Sequence, residues 1–472
     1  MRNYKLQKAS AYLKHYGIKK LLRKAVERKS NSNDYNSERK GEIASAQEIA
    51  RQKQVRFDRE PVISILMPAF NTPEKSLTET LESVKNQTYA KWELCVADGG
   101  GISVKPVIDK VFKDDSRIKY KSLDTNMGIS GNSNEALSLA GGDFVAFLDH
   151  DDILEPDTLF EVVTKIVENN ADMVYTDEDK VSQDLDNYFR PYRKPDFNKT
   201  LLLSNNYICH FCAVSKSIVD KIGGFRSEYD GAQDYDFFLR CIEYAKNIEH
   251  VNKVLYHWRV STQSTADNPF NKEYAFLAGK RAIEDYLKRN GLFDTAAVKE
   301  LDDPGYFRVE YSKEANVKVE LVSHDTAPEA DYYLIIDKNM EIAPDWKHHL
   351  VGTALLTGAD IVAPKVIRNR RYVYNGIAKR GQEFTQSLNG KPMWYRGRFN
   401  LGITNMDVNI APVSGILVSA KALSKVLSVT DKHISNLNGP CRGLKMVYAP
   451  EAVLKIKNKQ RNVNEQSNGC YT

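Results

Sequence analysis

The chain has 472 residues, 42% of them apolar and 27% charged, an ordinary soluble composition with room for two or three domains and a sizeable core. No run approaches the roughly 18 apolar residues of a membrane-spanning helix, and the first residues lack a signal-peptide stretch, so neither an integral membrane protein nor a conventionally secreted one is expected. Six cysteines are too sparse for a disulfide scaffold and point to the reducing cytoplasm.

Residues 1–29 hold ten Lys and Arg against Glu27, a local +9 in a chain of net +5, so the remainder stands at −4. Leu6, Leu13, Leu21 and Leu22, with Tyr12 and Ile18, recur among these cations at helical spacing. That is the pattern of a basic amphipathic helix lying on an anionic membrane surface; packing of the leucines on the main domain is the other reading. A nucleic-acid enzyme carries its positive charge around the body of the fold, so no nucleic-acid partner is expected. Residues 30–58 are polar and read as linker plus a short helix.

From Pro61 the pattern changes abruptly. VISILMPAF has strand length and SLTETLESVKNQT has helical spacing. The strands WELCVAD, RIKYKSL, DFVAFLD and DMVYTD then alternate with helical segments near VKPVIDKVFKD, NSNEALSLA and PDTLFEVVTKIVENN. This alternation predicts a mostly parallel sheet covered on both faces. Such sheets bind ligands beyond the carboxyl ends of their strands. Those ends carry Pro68-Ala69-Phe70-Asn71, Asp98-Gly99-Gly100-Gly101 and Asp149-His150-Asp151-Asp152.

A strand-end carboxylate can accept a hydrogen bond from a base N–H or a ribose hydroxyl. Asp149, Asp151 and Asp152 supply hard oxygen ligands suited to Mg²⁺ or Mn²⁺ bridging a diphosphate. A helix-capping turn is the bland alternative, and it suits Asp152 and Asp157 best. No Walker-type or G-x-G-x-x-G loop is present, so phosphates would be held by metal and side chains.

Farther on, Gly231-Ala232-Gln233-Asp234-Tyr235-Asp236 precedes the apolar FFLRC, and Tyr256-His257-Trp258-Arg259 follows the strand-like HVNKVL. Asp234 fits a general base acting on a hydroxyl, or a helix N-cap. His257 fits a metal ligand and Arg259 a diphosphate contact, unless both are surface strand residues. Cys209-His210-Phe211-Cys212 has metal-like spacing but no second pair, and reads as alternating residues of a buried strand.

Taken in order, VISILMPAFN, SVKNQTYAKWELCVADGG, NMGISGNSNEAL, GGDFVAFLDHDDILEPDTL, YTDEDK, GGFRSEYDGAQDYDFFLRC and VLYHWR resemble glycosyltransferase family 2, the GT-A nucleotide-sugar transferases. YTDEDK, GAQDYD and YHWR look like a bacterial subgroup that builds surface polysaccharides. The resemblance implies a Rossmann-like α/β GT-A domain over residues 61–295. It implies that Pro68, Phe70 and Asn71 surround the nucleotide base and that Asp98 holds the base N–H. Asn126, His150 and Arg259 would join that donor site, and Asp149 would reach both ribose and metal. Asp151 would be the principal ligand of Mn²⁺ or Mg²⁺, completed by His257. Asp234 matches the catalytic base, although Gln233 stands where the family usually has Glu. The charged segment Glu178, Asp179 and Lys180 would face the acceptor.

GGDFVAFLDHDDILEPDTL also aligns without a gap on EADYYLIIDKNMEIAPDWK, 188 residues later. Asp143, Asp149, Asp157 and Asp172 fall on Asp331, Asp337, Asp345 and Asp360, whereas Asp151 and Asp152 fall on Asn339 and Met340. We read residues 300–460 as a truncated, degenerate GT-A-like domain that holds the acceptor or forms an oligomer interface. Residues 461–472 are a polar tail.

The combined expectation is an inverting, metal-dependent transferase on the inner face of the plasma membrane. It would move a sugar from a UDP-sugar, with dTDP-rhamnose as the other candidate, to a lipid-linked surface glycan. The competing reading is a non-catalytic nucleotide- or glycan-binding subunit that supports a partner transferase.

Overall fold

The computed structural model describes residues 35–260, 273–311, 318–322, 329–385, 387–397, 400–430 and 443–457. The basic arm, the tail and their expected roles lie outside them. Among the described residues no helix is long and apolar enough to cross a membrane. The chain divides into one unit of residues 1–309 with 379–385 and a second of residues 310–378 with 386–472.

In the first unit the strands are β1 (Ile63–Ala69), β2 (Trp92–Asp98), β3 (Ile118–Ser122), β4 (Phe144–Phe147), β5 (Ile153–Leu154), β6 (Met173–Ser182), β7 (Tyr188–Tyr192), β8 (Cys212–Ser215) and β9 (Ile248–Val260). They lie in the order β3-β2-β1-β4-β8-β6-β9-β5, with β7 on the edge of β6. The β1–β2, β2–β3 and β1–β4 pairs are parallel, while β8 runs antiparallel to both β4 and β6. All seven residues of β2 are buried, as a strand covered on both faces requires. The helix Thr158–Glu168 buries Leu159, Phe160, Val162, Val163 and Ile166, and these join Ile65, Leu94, Val96 and Leu77 in one core. This is the mixed α/β GT-A arrangement expected from the sequence, with the ends of β1, β2 and β4 on one edge.

β10 (Ala296–Glu300) and β11 (Phe307–Tyr311) follow. In the second unit come β12 (Val319–Val322), β13 (Tyr332–Ile335), β14 (Met340–Ile342), β15 (Ile361–Arg368) and β16 (Arg371–Tyr374). The hairpin β17 (Lys379–Arg380) and β18 (Glu383–Phe384) precedes β19 (Met406–Val408), β20 (Ile416–Ser419) and β21 (Met446–Ile456). The second sheet has the order β12-β13-β20-β15-β21-β14. Every pairing along this order has a counterpart of the same sense in the first sheet, whereas the antiparallel β19–β21 pair has none. Phe144↔Ser215 and Met173↔Ile248 in one correspond to Tyr332↔Ser419 and Ile361↔Met446 in the other. Strands equivalent to β2 and β3 are absent among its described residues.

The hairpin β17–β18 was expected in the second domain and belongs instead to the first unit. A buried charge explains why: Arg380 pairs with fully buried Asp177 at 2.5 Å, while Gly381 N–H donates to Asp196 at 2.7 Å.

Candidate active site

The end of β1, the end of β4, the loop entering β8 and the helix Gln233–Cys241 converge on one pocket. Pro68, Asp149, Cys209, His210, Gln233 and Asp234 are among its lining residues. Asp149 and Asp234, 85 positions apart in sequence, thus share a cavity. The Asp149 side chain is 45% exposed, and His210 Nε2 lies 4.0 Å from its Oδ2.

Asp234 is held in place rather than free. Its carboxylate accepts from Asn206 Nδ2 at 2.8 Å and from the Tyr235 N–H at 2.8 Å. Burial pushes its pKa above the usual carboxylate range, against the pull of His210 and these donors. A carboxylate raised in this way is a stronger proton acceptor near neutral pH. Gln233, in the place of the customary Glu, turns its Oε1 back to the Gly231 N–H at 2.9 Å.

At the neighbouring strand ends the side chains build turns. Asp98 is buried, and its Oδ2 accepts from Ser103, the Val104 N–H and Tyr120 at 3.1, 3.0 and 2.8 Å. It shapes the turn and does not present an open carboxylate to a base, which corrects its simplest expected role. Glycine is needed in that turn: Gly101 has φ +78°, and a Cβ there would lie 2.1 Å from Asn71 Oδ1. Asn71 also accepts from the Ile102 N–H at 3.0 Å. Asn126 Oδ1 accepts from Asn132 Nδ2 at 2.9 Å, and His150 Nδ1 lies 3.0 Å from Thr72 Oγ1. Phe70, Ile102 and Met127 expose 40, 71 and 45% of their surfaces on this edge, which leaves apolar faces available to a planar ligand.

Several expected site residues have other parts. Arg259 is 1% exposed and donates to Glu79 at 2.6 Å, to the Asp151 carbonyl at 2.7 Å and to the Gln183 carbonyl at 2.9 Å. It supports the Asp149–Asp152 turn from behind and is not open to a diphosphate. Asp152 is likewise structural, accepting from Tyr256 Oη at 2.5 Å and the Arg259 N–H at 2.7 Å.

His257 is a salt-bridge centre rather than a metal ligand. Its Nδ1 lies 2.6 Å from Asp179 and its Nε2 2.9 Å from Glu155, so both ring nitrogens are occupied. Burial alone would lower its pKa, but Asp179 and Glu155 overcome that and hold it up to about 9. Tyr35 and Arg39, on a helix in the stretch expected to be linker, close this cluster: Tyr35 donates to Asp179 at 2.8 Å and Arg39 pairs with Glu155.

Glu178, Asp179 and Lys180 lie within β6 and not on a loop facing an acceptor. Glu178 and Asp179 are buried in ion pairs, and Lys180 sits 4.1 Å from the Trp258 ring.

His210, which lines the pocket, and Asn206, which holds Asp234, are residues that sequence reasoning missed. β8 begins only at Cys212, so Cys209 and His210 belong to the loop before it. The one signal available was a His between two Cys, a spacing that reads equally well as core.

A divalent cation can be tested against the residues present. Among the described residues no three His, Cys, Asp or Glu side chains form a ready cage. The half-exposed Asp149 carboxylate and His210, whose Nε2 lies 4.0 Å from it, nevertheless line the same pocket. Asp151, whose pKa burial raises, adds a carboxyl on the same turn. This donor set fits a cation that also takes oxygens from a bound diphosphate.

An acid-rich strand end and Asp234, a carboxylate whose pKa is raised, thus share one pocket at the edge of this α/β sheet. Residues 64–223 match the family model described as Glycosyl transferase family 2. The uncharacterized protein y4gI of Sinorhizobium fredii is 41% identical over 244 residues, which is 50% of this chain and 26% of y4gI. The O-antigen biosynthesis protein RfbC of Myxococcus xanthus is 32% identical over 278 residues, 58% of this chain and 21% of RfbC. The Escherichia coli UDP-Glc:alpha-D-GlcNAc-diphosphoundecaprenol beta-1,3-glucosyltransferase WfgD is 30% identical over 216 residues, 45% of this chain and 82% of WfgD. The chain belongs to glycosyl transferase family 2. It spans about a quarter of the length of the first two of these relatives.

Proposed function

We propose that the first unit transfers a sugar from a nucleotide-sugar, with UDP favoured and dTDP-rhamnose as the competing donor, to a hydroxyl of a growing bacterial surface polysaccharide. The observation that carries this reading is the presence of Asp149 and Asp234 in one pocket. WfgD, whose name specifies a UDP-glucose donor and a diphosphoundecaprenol-linked acceptor, supports both the UDP preference and a lipid-linked acceptor. The acceptor hydroxyl attacks the anomeric carbon opposite the departing group, so its configuration inverts. Asp234 takes the hydroxyl proton as the new C–O bond forms, and the old C–O bond breaks with its electron pair leaving on the nucleoside diphosphate. Asn206 and the Tyr235 N–H fix the orientation of the base. Asp149 and Asp151 would hold a divalent cation, Mn²⁺ or Mg²⁺, whose charge offsets that gathering on the diphosphate. Phe70, Ile102 and Met127 would cover the faces of the base.

The basic arm would keep this site near the membrane, and deletion of residues 1–29 should then release the chain from anionic vesicles. We further propose that the second unit is a truncated transferase-like copy without a catalytic site, which binds the acceptor chain or forms an oligomer interface. Calorimetric titration of UDP, dTDP and GDP, with and without Mn²⁺, tests the central reading on the full chain and Asp151→Ala. Mn²⁺-dependent binding of UDP or dTDP that is lost in the variant supports it; no binding of any nucleotide overturns it.

A further inference from the structure

The loop Asn206–Phe211 enters the pocket between Asp149 and Asp234, and its main chain is clamped. Lys194, with no exposed surface, donates from Nζ to the Ile208 carbonyl at 2.6 Å, the His210 carbonyl at 2.5 Å and Glu178 Oε2 at 3.1 Å. The same Glu178 oxygen accepts the His210 N–H at 3.1 Å. Two buried, opposite charges therefore hold His210 by both of its peptide groups. Its ring is fixed as well: it stacks on Tyr256 with centroids 4.8 Å apart and planes at 19°, and lies against the edge of Trp258 at 6.4 Å. Tyr256 is itself tied to Asp152. The outcome is an imidazole with an unpartnered buried Nδ1, and with Nε2 4.0 Å from Asp149 Oδ2.

The clamp and the stacking thus set His210 Nε2 beside the open Asp149 carboxylate, in the pocket that both residues line. Resting on the metal-dependent reading above, we propose that His210 supplies a nitrogen ligand to the cation bound with the donor diphosphate, alongside Asp149. Two donors that each lie about 2.1 Å from one ion are separated by no more than about 4.2 Å, and the Asp149–His210 separation already satisfies this. Such a cation needs only one or two protein carboxylates besides phosphate oxygens and water, so the lack of a closed protein cage is no obstacle. A nitrogen ligand also favours a first-row ion such as Mn²⁺ over Mg²⁺, which prefers oxygen.

The test is pulsed electron paramagnetic resonance of Mn²⁺ with UDP on the full chain. A directly bound imidazole imprints ¹⁴N modulation on the Mn²⁺ echo, and this readout needs neither turnover nor a variant. The expected result is modulation in the wild type that disappears in His210→Gln, together with a loss of at least about tenfold in Mn²⁺ affinity measured with UDP present. His210→Asn and circular dichroism of both variants guard against misfolding. Mn²⁺ bound without ¹⁴N modulation, or modulation that survives in His210→Gln, overturns the assignment and leaves the metal-dependent reading standing. UDP binding with no Mn²⁺ uptake by the wild type overturns both.

Discussion

In the first unit β4 runs into Asp149, Asp151 and Asp152; in the second, β13 runs into Asp337, Asn339 and Met340. The acids present in both sheets include those that hold main chain. Asp143 and Asp331 accept the N–H of Val62 and Lys318, each at 2.8 Å. Asp172 and Asp360 accept those of Asn247 and Lys445, at 3.0 and 2.8 Å. Asp151 and Asp152, which the second sheet lacks, lie on the turn that follows β4 and Asp149. Where Asp152 accepts from Tyr256, the register of the second sheet puts Met340 and Leu454, both bordering Gly415. A hydrogen-bonded pair has become an apolar pair as a unit. Replacing both partners together avoids leaving either polar group buried and unpaired. A sheet can thus keep its strand order while its strand ends change chemistry, because the order depends on main-chain pairing and the chemistry on a few side chains.

The sharpest way to break this contrast is Asp234→Asn. Sugar transfer measured with a UDP-sugar should fall about 10²–10⁴-fold while UDP binding and the thermal midpoint stay near wild type. A residual rate within about threefold of wild type would remove Asp234 as the base and erase the chemical difference between the units.

His257 tests a feature of the first sheet that is purely structural. Its folded pKa, about 9, lies above the unfolded value of about 6.5. Its contribution to stability is therefore fully present below pH 6.5 and is lost as pH rises through 9. His257→Gln should cost on the order of 3 kcal/mol in urea unfolding at pH 6, with the gap to wild type narrowing toward pH 9. A gap that does not change with pH would mean that His257 is not held protonated.

Transplanting the apolar pair probes the exchange itself. Asp152→Met leaves Tyr256 Oη and the Arg259 N–H without an acceptor and should cost about 1–3 kcal/mol in unfolding free energy. Adding Tyr256→Leu should recover part of that loss, a coupling of about 0.5–3 kcal/mol in the double-mutant cycle. Strict additivity would show that the two positions are independent. The smallest effect is expected from Asp337→Asn in the second sheet, which should leave transfer and nucleotide affinity within error of wild type. A marked loss of either would assign chemistry to the second unit.

The alternation of strands and helices, the acid-rich end of β4, the motif around Asp234 and the repeat at an offset of 188 residues were legible in the sequence. Each is local: apolar periodicity within a window, or a motif at one strand end. The parts played by His257 and Arg259 were not. Strand alternation turns both to the face of β9 opposite Tyr256 and Trp258, toward carboxylates 78 to 180 positions away along the chain. His210 was hidden for the same reason. Nothing near it in sequence says that Lys194, Glu178 and Tyr256 will gather to fix it beside Asp149. Sequence by itself determined which backbone segments form the sheet and which strand ends are acidic, because burial and hydrogen bonding act residue by residue. Only the tertiary structure decided which charges are spent on one another and which are left facing the pocket, because pairing depends on who is adjacent after the chain has folded.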